Sequence, residues 1–171
     1  MELFKTERLC VCYLENNDLE LFYDMQSNLN VMQFVKPPMN LEESKKELNR
    51  FIGYYHNPKI NFNIWAVKEQ HSNLFIGICG FYENSKKEIE IAYRLREQFW
   101  RKGYGREIAR GLIQYCFEET TLEVLRAYVR AGNTGSIQIL KQEMEYQYKL
   151  IQREEEEHIY ELRKEDWLTK R

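Results

Sequence analysis

Hydrophobic and polar positions along the chain change period several times, and each change marks an element. Residues 9–14 form an apolar run of strand length, after which Asn17 or Asp18 can cap a helix whose Leu19, Phe22, Tyr23 and Gln26 follow helical spacing. Pro37-Pro38 stops anything helical upstream, and Asn40 with Glu43 forms the capping pair of a second helix. Leu41, Leu48, Phe51, Ile52 and Tyr55 make that helix's apolar stripe. Residues 62–67, 74–82 and 88–95 then read as three strands joined by the polar segments 68–73 and 83–87, an antiparallel meander. From Gly103 the period lengthens to about 3.6, with Ile108, Leu112 and Tyr115 in one row and Ala109, Ile113 and Cys116 beside it. Residues 122–129 predict another strand, 136–144 a short helix, and 147–152 with 158–162 a closing strand pair around an acidic turn at 154–157. The order predicts an α+β fold: a mixed, mostly antiparallel sheet of about seven strands with about four flanking helices. No repeat or linker divides the chain, so residues 1–171 read as one domain.

Composition narrows the function classes. With 25 Lys+Arg against 27 Asp+Glu the formal charge is −2, which argues against a nucleic-acid partner. Twelve tyrosines, nine phenylalanines and three tryptophans are too many for a disordered chain. The longest apolar stretches are strand-sized, well short of the roughly 20 residues of a membrane span. Charges at Glu2, Lys5, Glu7 and Arg8 occupy the place of a secretion signal's apolar centre, so the expected location is cytoplasmic, with no membrane partner. Cys10 and Cys12 would share one side of a strand, Cys79 and Cys116 are isolated, and the three histidines are scattered. These are expected to be reduced structural thiols, and no metal-ligand spacing is present.

Chemistry concentrates where the strand at 88–95 gives way to the helix opened by Gly103 and Gly105. Main-chain N–H groups in the first turn of a helix have no intrahelical partner and carry the positive end of its dipole. Two glycines there let a phosphate come close, and Arg101, Lys102 and Arg106 add charge. Taken alone, the feature also fits a plain tight turn. A Walker loop would need Gly-Lys-Ser/Thr where Gly105-Arg106-Glu107 stands, and a dinucleotide fingerprint would need a third glycine where Ile108 stands.

Trp100-Arg101-Lys102-Gly103-Tyr104-Gly105 resembles the acyl-coenzyme A signature of the GNAT N-acetyltransferase superfamily, Gln/Arg-x-x-Gly-x-Gly/Ala. Thr6-Glu7-Arg8-Leu9, Glu90-Ile91-Ala92-Tyr93-Arg94-Leu95 and the Asn133 to Ser136 segment resemble further motifs of the branch that holds ribosomal-protein N-terminal alanine acetyltransferases. Four motifs in the right order are far more specific than any one of them. Trp100 replaces the usual Gln or Arg, and Met144-Glu145-Tyr146 stands where relatives carry Leu-Gly-Phe, with a possible extra residue.

The resemblance implies a GNAT-like fold whose fourth and fifth predicted strands splay apart. Acetyl-coenzyme A would lay its arm along the fourth at Leu95 and Arg96. Its diphosphate would rest on the N–H groups of Arg101, Lys102, Gly103, Tyr104, Gly105 and Arg106, with Asn133 on the other side. Transfer would go directly to a primary amine on a protein N-terminus, a polyamine or an aminoglycoside-like molecule, with no metal, in a monomer or homodimer. Glu90 is the implied general base; the tyrosine that many relatives use to protonate the thiolate falls at Leu140, so Ser136, another hydroxyl or water would do that job. Each has a plainer reading: Asn133 as a turn residue, Ser136 as a helix start, Glu90 as a solvated strand carboxylate. The acidic run at 154–157 would attract a cationic acceptor or merely solvate a hairpin tip. Tyr54, Tyr55 and Trp65 would line an acceptor pocket or belong to the core. A competing class is a coenzyme-binding sensor without turnover.

Overall fold

The computed structural model describes every residue except Pro58, Ile60, Arg153, Glu154 and Arg171, and the side chain of Gln152. One eight-stranded sheet runs in the order β1-β2-β3-β4-β5-β6-β8-β7. Its strands are β1 (Glu2–Lys5), β2 (Leu9–Cys12), β3 (Phe62–Glu69), β4 (Phe75–Glu83), β5 (Ile89–Leu95), β6 (Val124–Arg130), β7 (Glu145–Gln152) and β8 (Glu155–Arg163). Helices α1 (Leu19–Ser27), α2 (Leu29–Met32) and α3 (Leu41–Tyr54) precede the meander. Helix α4 (Tyr104–Glu119) links β5 to β6, α5 (Thr134–Glu143) links β6 to β7, and α6 (Lys164–Thr169) follows β8. The α+β class and the mostly antiparallel sheet hold. The strand before β2, the short α2 and the terminal α6 escaped the pattern because four to six residues give no period.

Local rules explain the boundaries. Asn40 Oδ1 accepts from the Glu43 N–H at 2.9 Å while Glu43 accepts from the Asn40 N–H at 2.8 Å, the reciprocal cap expected for α3. Its stripe holds at Leu48, Phe51, Ile52 and Tyr55, whereas Leu41 lies in the first turn and is exposed. At 16–18 the chain makes a 3-10 turn capped by Glu15, and Asp18 stands at the N-cap position of α1, its carboxylate accepting from the Glu15 N–H at 2.9 Å and not from the first turn of α1. The helix exit after Met144 passes directly into β7, and the ladder to β8 shifts register between Tyr146 and Tyr148, so a bulge at Gln147 absorbs a surplus residue. Glu155, Glu156 and Glu157 are not in a turn but begin β8, paired with Gln152, Ile151 and Leu150; Glu154 lies outside the described residues.

Two cores sandwich the sheet. On one face Ile108, Leu112, Cys116 and Phe117 of α4 and Ile137 and Leu140 of α5 pack on Ile91, Leu95, Leu125 and Tyr160. On the other, Phe22 and Met25 of α1 and Leu48 and Phe51 of α3 pack on Ile64, Ala66 and Ile78. Tyr55 and Trp65 are core residues, not a pocket lining. The Tyr55 hydroxyl donates to the Ile64 carbonyl and accepts from the Leu14 N–H, and Trp65 is buried against Phe81 and Tyr115. Tyr54 sets its ring edge-on to Phe62.

The feature that positions the site is the seam between β5 and β6. Among the described residues the two parallel strands share one bridge, Glu90 to Arg126, whereas β4 pairs with β5 from Glu83–Ile89 to Gly77–Leu95. The carboxyl-terminal half of β5 therefore has an open edge, and the splay expected between the fourth and fifth predicted strands is present between β5 and β6. Arg126 closes the other end: its guanidinium bonds Glu88 on one side and Glu161 of β8 at 2.7 Å on the other.

Strand β5 lies so close to β4 that a Cβ at Gly77 would overlap the Arg94 carbonyl. Gly77→Ala is expected to cost about 1–3 kcal/mol because backbone cannot yield as a side chain does. Gly53→Ala, in an exposed and open part of α3, is expected to gain about 0.5–1 kcal/mol instead. Thermal melts of the two variants against the parent check both signs.

Candidate active site

Alternation decides which main-chain groups face the opening. The Arg96 N–H donates to the Ile76 carbonyl at 2.9 Å, so the even-numbered residues of β5 spend their hydrogen bonds on β4. The odd-numbered ones turn theirs toward β6: Ile91 lies next to the Glu90–Arg126 bridge and spends its N–H there, and Tyr93 and Leu95 face the open edge. Leu95 keeps its place as an edge residue, although its carbonyl accepts the Trp100 indole N–H at 2.9 Å. Arg96 does not: its N–H is committed to Ile76, and its buried guanidinium binds Asp24 at 2.8 Å and the Phe75 carbonyl at 3.2 Å.

Beyond β5 the chain turns through a 3-10 segment, Glu97–Phe99, and enters α4 at Gly103, whose φ of 84° is left-handed. Arg101 is left-handed too, at φ 60°, an uncommon state for a residue with a Cβ. Among the described residues no acceptor is present for the main-chain N–H groups of Arg101 through Arg106; the first bond of α4 runs from the Glu107 N–H to the Gly103 carbonyl at 3.1 Å. Six consecutive free donors at the positive end of a sixteen-residue helix make a cradle for an oxyanion. Gly105 serves packing: a Cβ there would stand 3.0 Å from Ile139 and 3.9 Å from Leu95, so its absence lets the first turn settle at the mouth of the seam.

Side chains outside the loop hold the cradle. Glu97 accepts from Asn28 and Asn30 at 2.8 and 2.7 Å, fastening the turn to α2. Glu107 accepts from the Thr6 hydroxyl at 2.5 Å and from the Arg8 main chain and guanidinium at 2.7 Å each, and Arg8 also donates to the Lys102 carbonyl at 3.0 Å. Arg8 stacks over the Tyr104 ring and would lie 3.2 Å from a Cβ at Gly103, which makes it a cradle cation that sequence reasoning missed. Tyr104 contributes only its N–H, because its buried ring carries a hydroxyl that donates to Glu69 at 2.8 Å. Arg101 and Lys102 are exposed, whereas Arg106 leans 3.4 Å from Glu143 of α5, a carboxylate it shares with Arg110. A hollow of about 550 Å³ between β1 and α4 flanks the cradle at Arg8, Gly103 and Arg106 and lies away from the seam.

The remaining residues divide between the faces of β5. Glu88 and Glu90 share a face, as expected, but Glu88 is taken by Arg126 and Tyr128. Glu90 accepts from the Tyr82 hydroxyl at 2.7 Å and the Asn84 amide at 3.4 Å; burial raises its carboxyl above the usual range, and those two bonds offset only part. On the opposite face the Tyr93 hydroxyl is buried, its pKa pushed up to about 12 by burial, with Ser136 beside it offsetting part of that rise. Asn133 caps α5, its Oδ1 accepting from the Ser136 N–H at 3.2 Å, and its amide nitrogen has no acceptor among the described residues. Leu140 is core.

The family model described as the acetyltransferase (GNAT) domain matches residues 8–142. The chain belongs to the GNAT acetyltransferase family. An N-acetyltransferase named p20 from Bacillus licheniformis is 28% identical to this GNAT chain over 144 residues, covering 82% of it and 80% of p20. The crystal structure of a GNAT-family acetyltransferase from Bacillus anthracis superposes with a TM-score of 0.84 at 21% identity, over 96% and 99% of the two chains. RimL, a ribosomal L7/L12 α-N-protein acetyltransferase solved with coenzyme A, superposes at 0.81 with 15% identity over 95% and 98%. These last two likenesses establish the GNAT fold. No helix among the described residues is long and apolar enough to cross a membrane.

The Glu107 tie yields a signed expectation. Burial would raise this carboxyl, but bonds from Thr6 and Arg8 outweigh it and hold the pKa below the ordinary 4.5. Its stabilisation is thus complete above that value and is lost as pH falls through the folded pKa. Glu107→Gln should flatten the acid limb of Tm against pH, and Thr6→Val should cost about 1.5–3 kcal/mol at neutral pH, the worth of a hydrogen bond to a charged group.

Proposed function

We propose that this GNAT chain, as one unit over residues 1–171, transfers an acetyl group from acetyl-coenzyme A to a primary amine directly. The observation that carries the reading is the run of six free N–H groups, Arg101 to Arg106, at the mouth of a sheet opened along β5. A diphosphate on an extended arm fits these groups: the left-handed Gly103 would let it approach the main chain, Arg8, Arg101 and Lys102 would supply charge, and the open edge at Tyr93 and Leu95 would take the arm. The Asn133 amide faces the arm from α5.

Bound there, acetyl-coenzyme A supplies the thioester carbonyl that an amine attacks, forming a C–N bond as the C–S bond breaks. Glu90 takes the proton that the nitrogen loses; among the described residues it has no ion pair, unlike Glu88, and burial holds its carboxyl above the ordinary range, which makes it a stronger base than a solvated carboxylate. Ser136 gives the proton that the departing sulfur needs, with the buried Tyr93 hydroxyl beside it. Glu90 and Ser136 reach the reacting atoms from opposite faces of β5. Holding the two reactants together counts for more than either proton, since effective molarities of about 10⁵–10⁸ M exceed the roughly 10²–10⁴-fold of a proton-transfer group. A protein α-amine, about a tenth neutral at pH 7, needs less help than a polyamine with a lysine-like pKa. Among solved relatives, RimL acts on an N-terminus and a Vibrio cholerae neighbour acetylates spermidine, so acceptors of both kinds, with aminoglycosides, belong in the assay. Four free thiols suit a reducing, cytoplasmic setting.

The test is thiol release from acetyl-coenzyme A over a panel of peptides, polyamines and aminoglycosides. Amine-dependent release is expected, and its absence throughout overturns the assignment. Gly103→Asp, which puts a side chain and a negative charge into the cradle, should weaken acetyl-coenzyme A binding more than tenfold by calorimetry. Glu90→Gln should lower kcat about 10²-fold or more with unchanged coenzyme affinity. The parent's kcat/KM should fall at low pH along a limb above the ordinary carboxylate range, and an identical profile in the variant removes Glu90 as base.

A further inference from the structure

Two residues beyond Glu90, on the same face of β5, stands Ala92, and two beyond that Arg94. The strand places Glu90 and Arg94 about 13 Å apart along its axis. Arg94 flanks Ile78 of β4 on one side and the open seam on the other. Its Nη1 donates to Gln26 Oε1 of α1 and lies 3.4 Å from the Met32 sulfur, a weak acceptor. Its Nε is sealed from solvent without a partner, and so is Nε2 of Gln26, a residue with no exposed surface.

A guanidinium in such a place ordinarily has a carboxylate, because an unpaired buried charge is costly. Arg94 has no ion pair among the described residues. Asp24, on the same helix as Gln26, is engaged by Arg96 at 2.8 Å, and Glu47 is engaged by Lys36 and Arg50 at 2.7 Å each. The Nε–Nη2 edge, which suits a carboxylate bidentately, is therefore left without an acceptor next to another orphaned donor. This pair lies on the α1 face of the sheet, away from the α4 and α5 face, along the row that Glu90 begins.

We propose that Arg94, positioned through Nη1 by Gln26, forms the carboxylate-reading end of the acceptor site, and that the acceptor is an N-terminal peptide with Asp or Glu at its second or third position. The separation sets the class. An amine at Glu90 and a carboxylate at Arg94 must be several bonds apart, which fits an acidic side chain downstream of the N-terminus and not the α-carboxylate of a free amino acid. A polyamine, cationic at both ends, would meet the guanidinium as a like charge.

This inference rests on the acetyl-transfer reading, and the experiment separates the two. Peptides beginning Ala-Asp and Ala-Glu are compared with their Ala-Asn and Ala-Gln counterparts by thiol release. The parent should favour the acidic members at least tenfold in kcat/KM, through KM; Arg94→Gln should erase the preference and Arg94→Lys keep part of it, while both retain the parent's coenzyme affinity as proof of folding. Equal use of acidic and amide peptides, or a preference that survives Arg94→Gln, overturns the proposal. Calorimetry with the N-acetylated forms of the same peptides reads the site without turnover. Acid-over-amide discrimination lost in Arg94→Gln supports it even if no thiol is released, which would sink only the transfer reading; absence of discrimination there overturns it.

Discussion

The structure depends on a sheet that is zipped at one end and parted at the other. Parallel strands normally satisfy each other's main chain along their whole length, and the single bridge among the described residues, Glu90 to Arg126, forgoes most of those bonds. Arg126 makes that arrangement stable at the closed end by gripping carboxylates from both sides of the seam, Glu88 before β5 and Glu161 on β8. At the open end α4 arrives with its first turn, brought near by the missing side chain of Gly105. Unsatisfied edge groups and unsatisfied helix groups thus meet at one mouth.

A loop that keeps six donors free cannot be held by its own main chain, so the ties come from elsewhere. Trp100 reaches back to Leu95, Glu97 is gripped from α2, and Glu107 is gripped from residues about a hundred positions upstream. The Thr6 to Leu9 motif, which means little read as four residues, is the far side of that grip. The departure at position 100 has a matching explanation: the indole N–H anchors the turn on the edge of β5.

How much was legible follows the range of the interactions. The Asn40–Glu43 cap, the meander and the glycine-opened helix rest on neighbours within a few residues, and they were readable. So was the common face of Glu88 and Glu90, though their opposite fates depend on Arg126 and Tyr128, which alternation alone does not bring near. Arg96 was misassigned because its register against Ile76 is a property of the folded pair. Arg8, Tyr93 and Arg94 carried no signal by themselves; each matters for what it touches or fails to touch. The acidic run at 154–157 was read as a loop because charge outweighed strand pairing, although an exposed edge hairpin accommodates glutamates readily.

The left-handed backbone at Arg101 sets two pressures against each other. Glycine in that place would relieve roughly 1–2 kcal/mol of steric conflict, so selection for robustness alone would favour it. An arginine kept there trades that margin for a fixed charge beside the cradle. Backbone ease and local charge therefore cannot both be raised at position 101: any glycine that relaxes the turn also removes a cation from the rim of the cradle.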